Sequence, residues 1–202
     1  MAAMAVISAA TGRVATGFSK PYVATYSNSG TTITYASGQA LARGVNVSLS
    51  PESKDANNFY ADNAVAETEA GGFSGGTMTL VVDGLLQAAE ALISGLTVPD
   101  SGWVAHTEVT KPFCGVGYIT RYRSGNATSY VPTLVPKVVF DQIGREAATQ
   151  EEEIDWQTQT LEATIFMDDA ATPAWLYEGG EYSTEADALA ALLTKMGISS
   201  NG

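Results

Sequence analysis

The sequence predicts a mostly β protein, a β-sandwich or barrel with one flanking helix and a short C-terminal helix. Three observations carry this. β-branched and aromatic residues alternate with polar ones over short runs that end in Gly, Asn and Ser clusters, the pattern of half-buried antiparallel strands. Helical spacing of apolar residues occurs only near 85–93 and 184–196. At 202 residues, with 45% hydrophobic and 16% charged residues, the chain has enough apolar material for one packed domain. The expected division is an N-terminal arm over 1–16, a domain over 17–198 with a long loop at 51–72, and a frayed tail over 199–202.

Each element has its own signal. Residues 22–26 and 31–35 flank Ser27, Asn28, Ser29 and Gly30, a turn cluster that makes them a hairpin. A strand over 44–50 follows, then the long loop, then a strand over 76–82 in which Met78, Leu80 and Val82 alternate. Asp83 is a suitable helix cap for a stripe of Leu85, Leu86, Ala89, Leu92 and Ile93, and Gly95 can end that helix. Two longer strands fill 113–140 around the turn Ser124, Gly125 and Asn126. Pro132 and Pro136 cannot donate to a ladder, so the returning strand is expected to be an edge, bulged or broken. A strand over 154–166 changes phase near Gln159, and 175–177 form a last short strand. Thr184 caps the final helix, whose apolar stripe is Leu189, Leu192, Leu193 and Met196 before Gly197.

Charge and rare residues exclude several functions. The net charge is −12, yet residues 1–50 hold no Asp or Glu, so all 22 acids lie beyond them. Such a chain is poorly suited to gripping phosphate, which needs Lys and Arg to displace counterions, although it can guide DNA without binding it. Cys114 is the only cysteine, which excludes an internal disulfide and a thiolate metal cluster and reads as a buried thiol. His106 is the only histidine and has no informative partner spacing, while Asp168 and Asp169 read as a turn. No run of about twenty apolar residues is present, so no spanning helix is expected. The expectation is a non-enzyme without cofactor or metal.

Residues 51–72 are the stretch around which the rest is arranged. Two patterned strands are joined by a loop with little expected structure of its own, and loops of that length are usually functional or disordered. It carries Phe59 and Tyr60 beside Asp62 and Asn63. Aromatic side chains at such a tip suit contact with another surface.

The ordered series Val47-Ser48-Leu49-Ser50-Pro51-Glu52, Asn58-Phe59-Tyr60-Ala61-Asp62-Asn63, Gly72-Phe73-Ser74-Gly75-Gly76-Thr77, Gly115-Val116-Gly117-Tyr118, Leu134-Val135-Pro136-Lys137, Glu152-Glu153-Ile154-Asp155-Trp156 and Thr184-Glu185-Ala186-Asp187 resembles the major tail proteins of long-tailed, non-contractile bacteriophages. The apolar start over 1–16 is longer than the family pattern. The resemblance implies a tail tube subunit, located in the virion and assembled in the host cytoplasm. It implies hexameric rings stacked into a tube through which DNA passes without specific binding, with a tape measure protein and tube-capping tail proteins as partners. In that setting Phe59, Tyr60, Asp62 and Asn63 would contact a neighbouring subunit or ring. Glu67, Glu69, Asp155 and Glu162 would be the candidates for an acidic, phosphate-repelling lumen. The competing expectation is a carbohydrate-binding or adhesin-like β-sandwich that uses Tyr118, Tyr122 and Tyr130 as stacking platforms.

Overall fold

The computed structural model describes residues 12–98, 103–145 and 157–198. Expectations for Asp155, Trp156, residues 1–11 and the tail 199–202 lie outside them. The elements in order are β1 (Val14–Ser29), β2 (Thr32–Ala40), β3 (Gly44–Ser53), β4 (Asn57–Ala61), β5 (Ala64–Glu69), β6 (Phe73–Val82), α1 (Gln87–Ser94), β7 (Cys114–Ser124), β8 (Ala127–Phe140), β9 (Gln159–Phe166), β10 (Tyr177–Glu178) and α2 (Glu185–Lys195).

One eight-stranded sheet, every pairing antiparallel, runs β2-β1-β7-β8-β9-β6-β3, with β10 also on β8. The expected mostly β fold with a flanking and a C-terminal helix is therefore present. Curling of the single sheet brings its far end back. As the chain leaves β2, the Leu41 amide donates to the Pro21 carbonyl at 2.9 Å, and the Phe18 ring of β1 occupies the space a side chain at Gly44 would need.

Burial follows strand alternation. On one face, Met78, Leu80 and Val82 of β6, Leu161, Ala163 and Ile165 of β9, and Val138 and Phe140 of β8 form the main core, closed by Ala89 and Ile93 of α1. On the other, Ala24, Ile119 and Leu134 pack under Ala188, Leu192 and Met196 of α2. Neighbours Val23 and Ala24 thus enter different cores, and the centre of the sheet is covered on both sides. Gly117 permits this: a Cβ there would stand 2.6 Å from the Met196 sulfur and 2.7 Å from a Leu192 methyl.

Several expectations need correction, among them the last short strand, which is Tyr177–Glu178 and not 175–177. Val14 and the two residues after it belong to β1, not to an arm, because the ladder to β7 continues past the hydrophobic pattern to Val14 opposite Arg123. Asp83 does not cap α1. The helix begins at Gln87 after Leu86, with no side-chain cap bond, while the Asp83 carboxylate accepts from the Arg43 amide at 2.9 Å and from its guanidinium. Those hydrogen bonds from Arg43 hold the Asp83 carboxyl below its ordinary value. Of the expected α1 stripe Ala89 and Ile93 are buried, but Leu86 is exposed. Gly95 does end the helix, at φ +71.

β8 is interior, despite its prolines. Pro132 accepts from the Gly179 amide at 2.8 Å, so its donorless nitrogen faces β10 and the ladder to β7 loses nothing. Beyond it, Gly115 alone lies between the pairs Cys114–Val138 and Val116–Val135, opposite Pro136 and Lys137, which makes the bulge that was one of the expected outcomes. The second side of β8 is shared: β10 pairs with Thr133 and Leu134, β9 with Lys137 through Phe140, and Pro136 falls in the gap.

The last correction concerns 51–72. β3 runs on to Ser53, and the remainder forms the hairpin β4–β5 with Asp62 and Asn63 at its turn.

Candidate functional site

The β4–β5 hairpin forms because Asp62 and Asn63 both adopt left-handed backbone conformations, φ +50 and +61. A two-residue turn with both central residues at positive φ matches the right-handed twist of antiparallel strands, and Asp and Asn tolerate that region best after Gly. Across the ladder Asn57 pairs with Glu69, Asn58 with Thr68 and Phe59 with Glu67, and the Thr68 hydroxyl meets the Asn58 amide oxygen at 2.8 Å. Ala66 is an extra residue opposite the step from Phe59 to Tyr60.

Every residue of both strands is exposed, and Phe59 and Tyr60 each retain 64% of their surface. The hairpin stands on a firm base. The Lys54 amide donates to the Gly72 carbonyl at 2.9 Å, and the Phe73 ring lies flat on Trp175, 5.4 Å between centroids and 3° between planes. Asp62 and Asn63, expected as polar contacts, are the turn itself. Glu67 and Glu69 sit on the face that holds Phe59, since directly opposed residues share a side of a ladder.

Glu162 lies elsewhere. It is exposed on β9, on the side opposite to buried Leu161, Ala163 and Ile165. Register aligns it with Thr79 of β6 and Ser48 of β3, and the next row holds Thr164, Thr77 and Ser50. The uncovered face of β3, β6 and β9 is thus a field of hydroxyls with a carboxylate and no Lys or Arg in either row. Sequence reasoning found Glu162 but not the rows, because they depend on which strands pair, and the β6 and β9 residues that meet are more than eighty positions apart.

Two polar groupings were not foreseen. The Asp168 side chain, 3% exposed, accepts from the amides of Ala170 (3.3 Å) and Ala174 (2.9 Å) and from the Tyr177 hydroxyl (2.5 Å). Beside it, Asp169 accepts from Lys137 Nζ at 2.7 Å and from the Tyr26 hydroxyl at 2.6 Å. Burial and the Asp169 bond push the Tyr26 phenol up to about 12, while Lys137 and then Tyr26 hold the Asp169 carboxyl below its ordinary value. This knot ties β1, β8 and the 168–177 segment together. Among the described residues, no group of three or more His, Cys, Asp or Glu is placed to hold a metal ion.

In the second grouping, Arg145 donates to Glu90 at 2.7 Å and lies 3.0 Å from His106 Nε2, which accepts there. These residues and Trp103 line a 570 Å³ cavity beside α1. Its described lining offers Gln87 and Glu90 but no Ser, Thr, Cys or Lys nucleophile. Cys114 is buried, and burial pushes its thiol up to about 12.

The tyrosines of the carbohydrate reading are engaged. Tyr118 is 5% exposed, Tyr122 lies under the Arg13 guanidinium at 4.3 Å, and Tyr130 packs against the core beneath α2. Among the described residues no helix is long and apolar enough to cross a membrane.

Fold and site together define an antiparallel β protein with an uncovered aromatic hairpin and an uncovered polar sheet face. No family model matches the chain, and no curated protein matches it.

Proposed function

We propose that the chain is a structural subunit that joins copies of itself, specifically a tail tube protein whose hexameric rings stack into a conduit for DNA. The observation that supports this reading is the β4–β5 hairpin. A lone two-stranded hairpin is marginally stable in water, and this one holds Phe59 and Tyr60 away from its own domain. The two rings project to opposite faces of the hairpin, and docking one of those faces on a neighbouring copy would bury its ring and order the hairpin further. The polar rows on β3, β6 and β9 suit the lumen: hydroxyls and Glu162 offer phosphate no cation to displace its counterions, so DNA slides past. Glu67 and Glu69, which share a face with Phe59, belong with the contact surface in this reading, and Glu162 remains the described lumen candidate. The virion location and the tape measure and capping partners come with the tail tube assignment and stand or fall with it.

Electron microscopy of the purified chain over a range of concentrations tests the reading. Rings or tubes with an open centre are expected. Dispersed particles at every concentration would remove it and return the binding-module reading to the front.

A further inference from the structure

The hairpin is acidic: Asp55, Asp62, Glu67 and Glu69 lie within 55–69, which hold no Lys or Arg, with Lys54 just outside at its base. None of these acids is in an ion pair among the described residues. The opposite condition exists at the far end of β7. Arg121 and Arg123 are exposed there, and neither forms an ion pair among the described residues. Their ladder partners bring no acid: Arg121 lies between Gly17 and Tyr130, and Arg123 between Val14 and Thr128. Of the acids on neighbouring segments, Glu181 is paired with Arg13, whose guanidinium lies over Tyr122, and Glu185 accepts from the Ser19 hydroxyl.

Spacing turns this complementarity into a match. Glu67 and Glu69 are two residues apart on β5, and Arg121 and Arg123 are two residues apart on β7. Each pair therefore projects from one face of a strand at about the same separation, roughly 7 Å. The apolar parts correspond too. Phe59 stands opposite Glu67 on the hairpin face, while Val14, 65% exposed, stands opposite Arg123 on the sheet.

We infer that Glu67 and Glu69 of one copy pair with Arg121 and Arg123 of a second copy, seating Phe59 on the β1–β7 surface beside Val14. This rests on the self-association reading above and names its acceptor. Guanidinium groups suit the role, since they pair with carboxylates in a planar fork and also lie over aromatic rings. The contact is heterologous, hairpin to sheet, so it propagates from copy to copy and does not close into a two-fold dimer.

A charge-swap series on the full chain tests this, read by sedimentation and electron microscopy. Glu67→Arg with Glu69→Arg, and separately Arg121→Glu with Arg123→Glu, should each raise the concentration needed for assembly by at least about tenfold. The chain carrying all four reversals should return to within about threefold of the unaltered one. Circular dichroism melts report folding. If a reversal unfolds the chain, the Gln replacements at the same positions take its place, with weakened assembly expected. Assembly indifferent to either pair of reversals, or a four-fold variant as dispersed as the two-fold ones, overturns the pairing while leaving self-association intact. An unaltered chain that never assembles overturns both. Retention of short DNA by the unaltered chain that vanishes with Arg121→Glu and Arg123→Glu, without loss of assembly, would assign the arginines to phosphate and overturn the pairing.

Discussion

Two hairpins in this molecule are built by the same backbone rules and meet opposite fates. β7–β8 turns at Gly125 and Asn126 and runs back into the centre of the sheet, where one face meets the main core beside α1 and the other meets α2. β4–β5 turns at Asp62 and Asn63 and leaves every residue of both strands exposed. The hydrogen-bond ladder is common to both, so the ladder is not what decides how firmly a hairpin is held. Burial decides it: β7–β8 takes its stability from its own chain, and in the proposed assembly β4–β5 would take it from a second copy.

That contrast can be broken at the buried end or the exposed end. The largest loss is expected from Phe140→Ala, which empties a fully buried site on β8 and should cost about 3–5 kcal/mol in denaturant unfolding. Asp168→Ala strands the Ala170 and Ala174 amides and the Tyr177 hydroxyl and should cost roughly 2–4 kcal/mol by the same measurement. Gly117→Leu pushes into Met196 and Leu192, lifting α2 off the sheet at a cost of about 1–3 kcal/mol.

A smaller effect sharpens the comparison through pH. The Asp169 carboxyl is held below its ordinary value, chiefly by Lys137. Its contribution to stability is full above the unfolded value, about 3.9, and is lost as pH falls through the folded value. Lys137→Met should therefore flatten the fall in melting temperature below about pH 4. The smallest effect on stability belongs to Phe59→Ser with Tyr60→Ser, within about 0.5 kcal/mol in the dispersed protein, because neither ring is buried there. The same pair of changes should abolish assembly seen by electron microscopy, and full-length tubes from that variant would contradict the role given to the hairpin.

Strands that bury one face were legible in the sequence and the exposed hairpin was not, for the same physical reason. Alternation of apolar and polar residues records one-sided burial, so Met78, Leu80 and Val82 or Leu161, Ala163 and Ile165 announce a strand. β4 and β5 bury neither face and carry Asn, Ala, Thr and Glu without a period, which left the Asp62-Asn63 turn as their only local signal. The cap at Thr184 and the stop at Gly95 were readable because they depend on local backbone geometry. The setting of Pro132 and the rows joining Ser48, Thr79 and Glu162 were not, since both require knowing which strands become neighbours. Asp168 and Asp169 look like a turn in one dimension and become a structural knot only when Tyr26, Lys137 and Tyr177 arrive from elsewhere.

Hydrogen exchange of the backbone amides over Asn57–Glu69, compared between dispersed and concentrated protein, bears most directly on the claim that a second copy completes this hairpin. In the dispersed protein these amides should exchange nearly as fast as in a free peptide, while those of β7 and β8 stay protected. On assembly the hairpin amides should slow by at least about tenfold, in step with the appearance of rings or tubes. Assembled protein whose hairpin amides exchange as fast as before, or dispersed protein in which they are already as protected as β8, would contradict it.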